Sequence, residues 1–87
     1  MTLSSDDAIR RKRLLWRATH RGIKEMDLIL GGYVTRNIAS FTSAELDQLE
    51  VIMDLPDQNM LSWATRTEPV PPEHASSLLL QILGHRP

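Results

Sequence analysis

Apolar residues recur at intervals of three and four along nearly the whole of this chain, and no stretch alternates apolar and polar residues long enough to make a strand. That period restricts the fold to helices packed on helices. The best-marked helix follows Phe41. Thr42-Ser43-Ala44-Glu45 spells a capping box, with Phe41 and Leu46 placed to staple it. Leu46, Leu49, Ile52 and Met53 line one face, and Pro56 stops the helix.

The other elements are read in the same way. A first helix is expected from an N-cap at Ser4 or Ser5, with Asp6 and Asp7 against its positive end, to about His20. Only Leu14, Leu15 and Ala18 of this helix join the core; Arg10–Arg13 read as a solvated face, and Trp16 and Arg17 fall on another side. A second helix starts at Gly22 or Ile23 and buries Met26, Ile29, Leu30 and Tyr33. Gly31-Gly32 either bends or ends it, or marks a place where something packs closely. Asp57 is the expected N-cap of a short fourth helix with Met60, Trp63 and Ala64 inward. Glu68-Pro69-Val70-Pro71-Pro72 reads as a stiff connector, with Pro72 at the first position of a fifth helix. That helix carries Ala75, Leu78, Leu79, Ile82 and Leu83, and Gly84 ends it. The expected architecture is all-α: a small single-domain five-helix bundle over residues 1–87, with flexible ends at 1–7 and 84–87.

Length and composition narrow the chemistry. Eighty-seven residues provide one core. Without cysteine there is no disulfide, thiolate zinc site or cysteine nucleophile. No apolar run approaches the roughly 20 residues of a membrane span. The N-terminus lacks the apolar core of a secretory signal, and Asp6 and Asp7 are unlike a transit peptide, so a cytoplasmic protein is expected. His20, His74 and His85 are scattered without a second ligand at helical spacing, which gives no metal site. Gly31-Gly32 lacks the strand and lysine of a phosphate loop, and no serine sits in a readable nucleophile setting. The reading is a non-enzyme.

Charge is unevenly spread. Residues 1–25 carry seven Lys/Arg (Arg10, Arg11, Lys12, Arg13, Arg17, Arg21, Lys24) against three acids, whereas the remainder carries three against eight. A basic end of this kind attracts phosphate or an acidic protein surface. One function class is therefore a small basic-helix nucleic-acid-binding or antitoxin-like regulatory protein. The other centres on Arg21-Gly22-Ile23-Lys24-Glu25, where the basic segment gives way to a new apolar period. Gly22 supplies the left-handed position of a tight corner. Arg21 and Glu25 stand four apart, a planar donor and a carboxylate. Taken alone, the pentapeptide is a helix corner with a surface ion pair that contributes about 0–1 kcal/mol.

More than the pentapeptide is present. Arg21-Gly22-x-x-Glu25-x-Asp27 follows an arginine-rich helix, and downstream come an acidic capped helix, Asp57 and, six residues later, Trp63. Across residues 8 to 83 this order resembles the succinate dehydrogenase assembly factors (factor 2 in mitochondria), also called flavinators, and points to a bacterial member. The resemblance implies a five-helix bundle that binds the flavoprotein subunit of succinate dehydrogenase, and often of fumarate reductase. Such a protein promotes covalent attachment of FAD to a histidine of that subunit; this chain is expected to be a monomer that holds no cofactor tightly, binds no nucleic acid and has no membrane span. Partner binding is carried over to Arg21, Gly22, Glu25 and Asp27, with Arg17 and His20 beside them. His20 stands where many members have another arginine, and Gly31-Gly32 replace bulkier residues.

Overall fold

A computed structural model describes residues 5–85. Five α-helices follow in order: α1 Ser5–Thr19, α2 Lys24–Asn37, α3 Ser43–Met53, α4 Asp57–Ala64 and α5 Ser77–Leu83, with single 3-10 turns at Ile38–Ser40 and Pro72–His74. There is no strand among the described residues. The period of three and four thus folds as expected, and its stripes meet in one core. Leu14, Met26, Leu30, Val34, Leu46, Leu49, Met60, Leu79 and Ile82 are fully buried, with Trp63 and Ile52 beside them.

α3 forms as its sequence dictates. The Thr42 side chain accepts from Glu45 N at 3.2 Å and the Glu45 side chain accepts from Thr42 N at 2.9 Å, closing the capping box. Phe41 and Leu46 on either side of it are both buried.

α1 begins at Ser5, where the cap read at Ser4 or Ser5 places it, and Ser4 itself lies outside the described residues. The starts of α4 and α5 differ from expectation. Asp57 does not cap α4; Pro56 occupies that position and the Asp57 carboxylate is engaged elsewhere. Pro72 does not open α5. It starts a separate 3-10 turn, and Ser76 caps the true helix by accepting from Leu79 N at 3.2 Å, leaving Ala75 exposed. The physical reason is local: a serine hydroxyl satisfies an orphan N–H of the first turn, which proline cannot do.

α2 runs unbroken through Gly31 and Gly32, so close packing, not a bend, accounts for them. A Cβ on Gly31 would stand 3.0 Å from Ala18 O and 3.2 Å from Thr19 Cα, where α1 crosses α2. Gly32 faces only the ring of His85, whose Nε2 would be 3.0 Å from an added Cβ.

α1 also packs along α3, which brings the basic end of the sequence against the acidic one. Arg10 pairs with Asp47 and Glu50, Arg17 with Asp54, and Arg21 with Asp57. Arg11 donates to the carbonyls of Ile38 and Phe41. The face read as solvated at Arg10–Arg13 is therefore split. Arg10 and Arg11 turn inward to α3 and the turn before it, and only Lys12 and Arg13 remain exposed.

Candidate functional site

The corner between α1 and α2 is built by Gly22 and held by Arg21. Gly22 has φ +91°, a left-handed conformation that costs an L side chain about 1–2 kcal/mol. A Cβ there would meet nothing within 4 Å, so the requirement for glycine is conformational and not steric. The backbone then enters α2 through Ile23, whose carbonyl accepts from Asp27 N at 2.9 Å. Asp27 reaches back across the corner, its Oδ1 accepting from Arg21 N at 2.6 Å.

Arg21 itself turns inward. Its Nε donates to Asp57 Oδ1 at 2.8 Å, and its two terminal nitrogens donate to Met53 O at 2.8 Å and Leu55 O at 3.1 Å. Met53 is the last residue of α3, so one of these bonds satisfies an orphan carbonyl at the negative end of that helix. The side chain is only 10% exposed and that of Asp57 only 20%. A planar guanidinium with donors on three nitrogens thus clasps the α1–α2 corner to the α3–α4 corner. The surface pair of Arg21 with Glu25 does not form: Arg21 takes Asp57, and Glu25 is exposed with no ion-pair partner among the described residues.

The remaining site residues divide accordingly. Arg17 donates to Met53 O at 3.3 Å and Asp54 Oδ1 at 3.0 Å, so it reinforces the clasp while staying part exposed. Nearer the start of α1, the hydrogen bonds that Arg10 donates to Asp47 and then to Glu50 raise its guanidinium from its ordinary value. His20 is exposed and lies flat on Trp16, with ring centroids 4.2 Å apart and planes 10° apart. Its Nδ1 is 2.8 Å from Trp16 O and 3.0 Å from Thr19 Oγ1, which fixes the ring on the helix end. Trp16, Arg17, His20 and Arg21 line an open cleft of about 240 Å³. Sequence reasoning placed Arg21 and Asp27 in the same role as Glu25 and His20. The fold separates them: the first two hold the corner, the second two and Gly22 face outward.

Two residues escaped the sequence reading as parts of this site. Asp57 was visible as an acid at a helix start, but nothing local points it 36 positions back to Arg21. Trp16 was visible as lying off the core face, and its 61% exposure is the signal that makes it a candidate for contact. The arrangement contains no cluster of three or more metal-ligating side chains among the described residues. His74 and His85 each pack on an aromatic ring, Trp63 and Tyr33, well apart in the chain from the corner. No helix among the described residues is long and apolar enough to cross a membrane. The corner presents an outward-facing set of charged and aromatic groups, Trp16, His20 and Glu25 among them.

The model of the Sdh5 family, described as the flavinator of succinate dehydrogenase, matches residues 12–86. The FAD assembly factor SdhE of Acetobacter pasteurianus is 38% identical over 76 residues, covering 87% of this chain and 70% of that protein. The mitochondrial succinate dehydrogenase assembly factors 2 of Scheffersomyces stipitis and Debaryomyces hansenii are 36% and 33% identical over 78 residues each. Each alignment covers 86% of this chain, and the chain spans 52% and 55% of those two relatives.

Proposed function

The chain belongs to the family of succinate dehydrogenase flavinators, and on that premise we propose that its α1–α2 corner is the surface that engages the dehydrogenase. It is an FAD assembly factor that serves succinate dehydrogenase flavinylation. In our reading it binds the flavoprotein subunit as a monomer in the cytoplasm, acts also on the corresponding subunit of fumarate reductase, and promotes covalent attachment of FAD to a histidine there. The attachment chemistry belongs to the flavin and the target protein. A helper needs only to favour the conformation in which the two react, by binding that conformation more tightly than the others. Nothing in this role calls for a catalytic residue or a tightly held cofactor on the helper.

The observation that carries the reading is the division of labour at the corner. Arg21, Asp27 and Asp57 are consumed in holding it, and Glu25, Gly22 and His20 are left exposed on its outer side. A rigid corner loses little entropy on docking. A carboxylate that becomes desolvated against a partner's donor can then contribute strongly to complex stability, and its truncation costs about 2–5 kcal/mol.

The test is covalent flavin on the dehydrogenase subunit, read by in-gel fluorescence in a strain lacking the native gene. Glu25→Ala is expected to fold with stability within about 0.5 kcal/mol of wild type, because Glu25 is exposed and unpaired, yet to leave the subunit without covalent flavin. Gly22→Arg adds a bulky side chain in the open space before the corner and the backbone strain of φ +91° as well. Full flavinylation by both folded variants would overturn the corner as the working surface.

A further inference from the structure

The cations of α1 fall into two sets. Arg10, Arg11 and Arg17 flank the buried line of Leu14 and Ala18 and are spent on α3 and the turn before it. At about 100° per residue, Ile9, Lys12, Arg13, Trp16 and His20 all fall within about 100° of one another on the opposite side of the helix. Lys12 and Arg13 are exposed and form no ion pair among the described residues. Ile9 is 49% and Trp16 61% exposed. This outer stripe runs into the corner through His20, whose ring is stacked on Trp16 and pinned by the Trp16 carbonyl.

We propose that this stripe continues the docking surface of the corner along α1 and receives an acidic stretch of the partner flavoprotein, with the Trp16–His20 stack as its anchor. The inference rests on the flavoprotein reading above and extends it from the corner to a specific face and a specific partner chemistry. Its argument is charge complementarity and pre-organisation. On α1 itself Arg10, Arg11 and Arg17 have already met an acid or a carbonyl of α3 and the turn before it, so Lys12 and Arg13 are the cations of this helix left facing outward to attract an external acid. Tryptophan contributes large contact area at small entropic cost, and here the stacked histidine has already restricted its rotamer. Charge on the stripe steers the encounter, and the aromatic pair holds the complex.

Titration calorimetry of this protein against the purified apo flavoprotein subunit, at low and at physiological salt, tests the proposal. Trp16→Ala is expected to weaken binding about tenfold or more, and Trp16→Phe to retain most of the affinity by preserving the platform. The double reversal Lys12→Glu, Arg13→Glu is expected to weaken binding at low salt and to flatten its salt dependence. All these side chains are exposed, and circular dichroism should show unchanged helix content. Wild-type affinity in both Trp16→Ala and the double reversal, with Glu25→Ala still failing to bind, would overturn the stripe and leave the corner reading intact. A wild-type protein that does not bind the subunit at all would overturn both. Loss of an RNA gel shift or of self-association in these variants, with binding to the flavoprotein unchanged, would reassign the stripe to a nucleic acid or to a second copy and overturn the proposal.

Discussion

Arg21 is where the difference between a surface motif and a structural clasp is largest. Removing it leaves the partly buried Asp57 carboxylate without its cation and takes a donor from each of the Met53 and Leu55 carbonyls. Leaving such groups unpaired costs far more than an exposed ion pair contributes. Arg21→Met is therefore expected to destabilise the domain by about 2–3 kcal/mol, measured by urea denaturation. Arg21→Lys should recover only part of this, because a single ammonium cannot span three acceptors on two helix ends. A midpoint unchanged in Arg21→Met would mean that the clasp is ornamental. The contrast with Glu25 is diagnostic: Glu25→Ala is expected to lose function without stability, Arg21→Met to lose both. The sequence showed that Arg21 and Glu25 were special but could not separate these roles. The residues that decide the matter, Met53, Leu55 and Asp57, lie more than thirty positions away, and no local pattern encodes such a pairing.

Among the elements, α3 was the most legible and α2 the least. Every signal that defines α3 is local: the cap, the box, the apolar face and the proline that ends it. α2 carries two adjacent glycines, and glycine signals a weak helix and a close crossing with the same letter. Only the position of α1 decides between them. Because that position is now known, the two glycines can be told apart by experiment. Gly31→Ala places a Cβ against the backbone of Ala18 and Thr19, which cannot move without shifting α1, and should cost about 1–3 kcal/mol. Gly32→Ala meets only the His85 ring edge and should be near neutral, or stabilising by up to about 1 kcal/mol through helix propensity. Thermal melts of the two variants check this directly; equal destabilisation would show that the α1–α2 crossing is not the tight contact inferred. α5 illustrates the same limit from the other side. Pro72 was the expected start, yet the helix begins only after Ser76, whose hydroxyl caps it, and it buries Leu78, Leu79, Ile82 and Leu83.

For the molecule as a whole, charge and core both act across the full length of the chain. The basic first quarter and the acidic remainder suggested a surface for polyanions, yet folding sets much of one against the other along α1 and α3. The same fold gathers stripes from all five helices into a single core, so damage at one place is felt everywhere. Trp63 tests this. It sits on the eight-residue α4, 7% exposed, with its ring 5.9 Å from that of His74. A helix that short has no independent stability and is held by what it buries. Trp63→Ala is expected to cost about 3–5 kcal/mol, a large share of the stability of so small a domain. Because α4 also presents Asp57, its loosening releases Arg21 and with it the corner. Flavinylation by Trp63→Ala should therefore fall in step with the folded fraction, and an osmolyte such as trimethylamine N-oxide, which favours compact states, should restore both together. Calorimetry with and without the osmolyte, run beside the flavin gel, distinguishes this from a direct role. Activity that stayed lost in a fully refolded Trp63→Ala protein would place Trp63 in the contact surface, not the core.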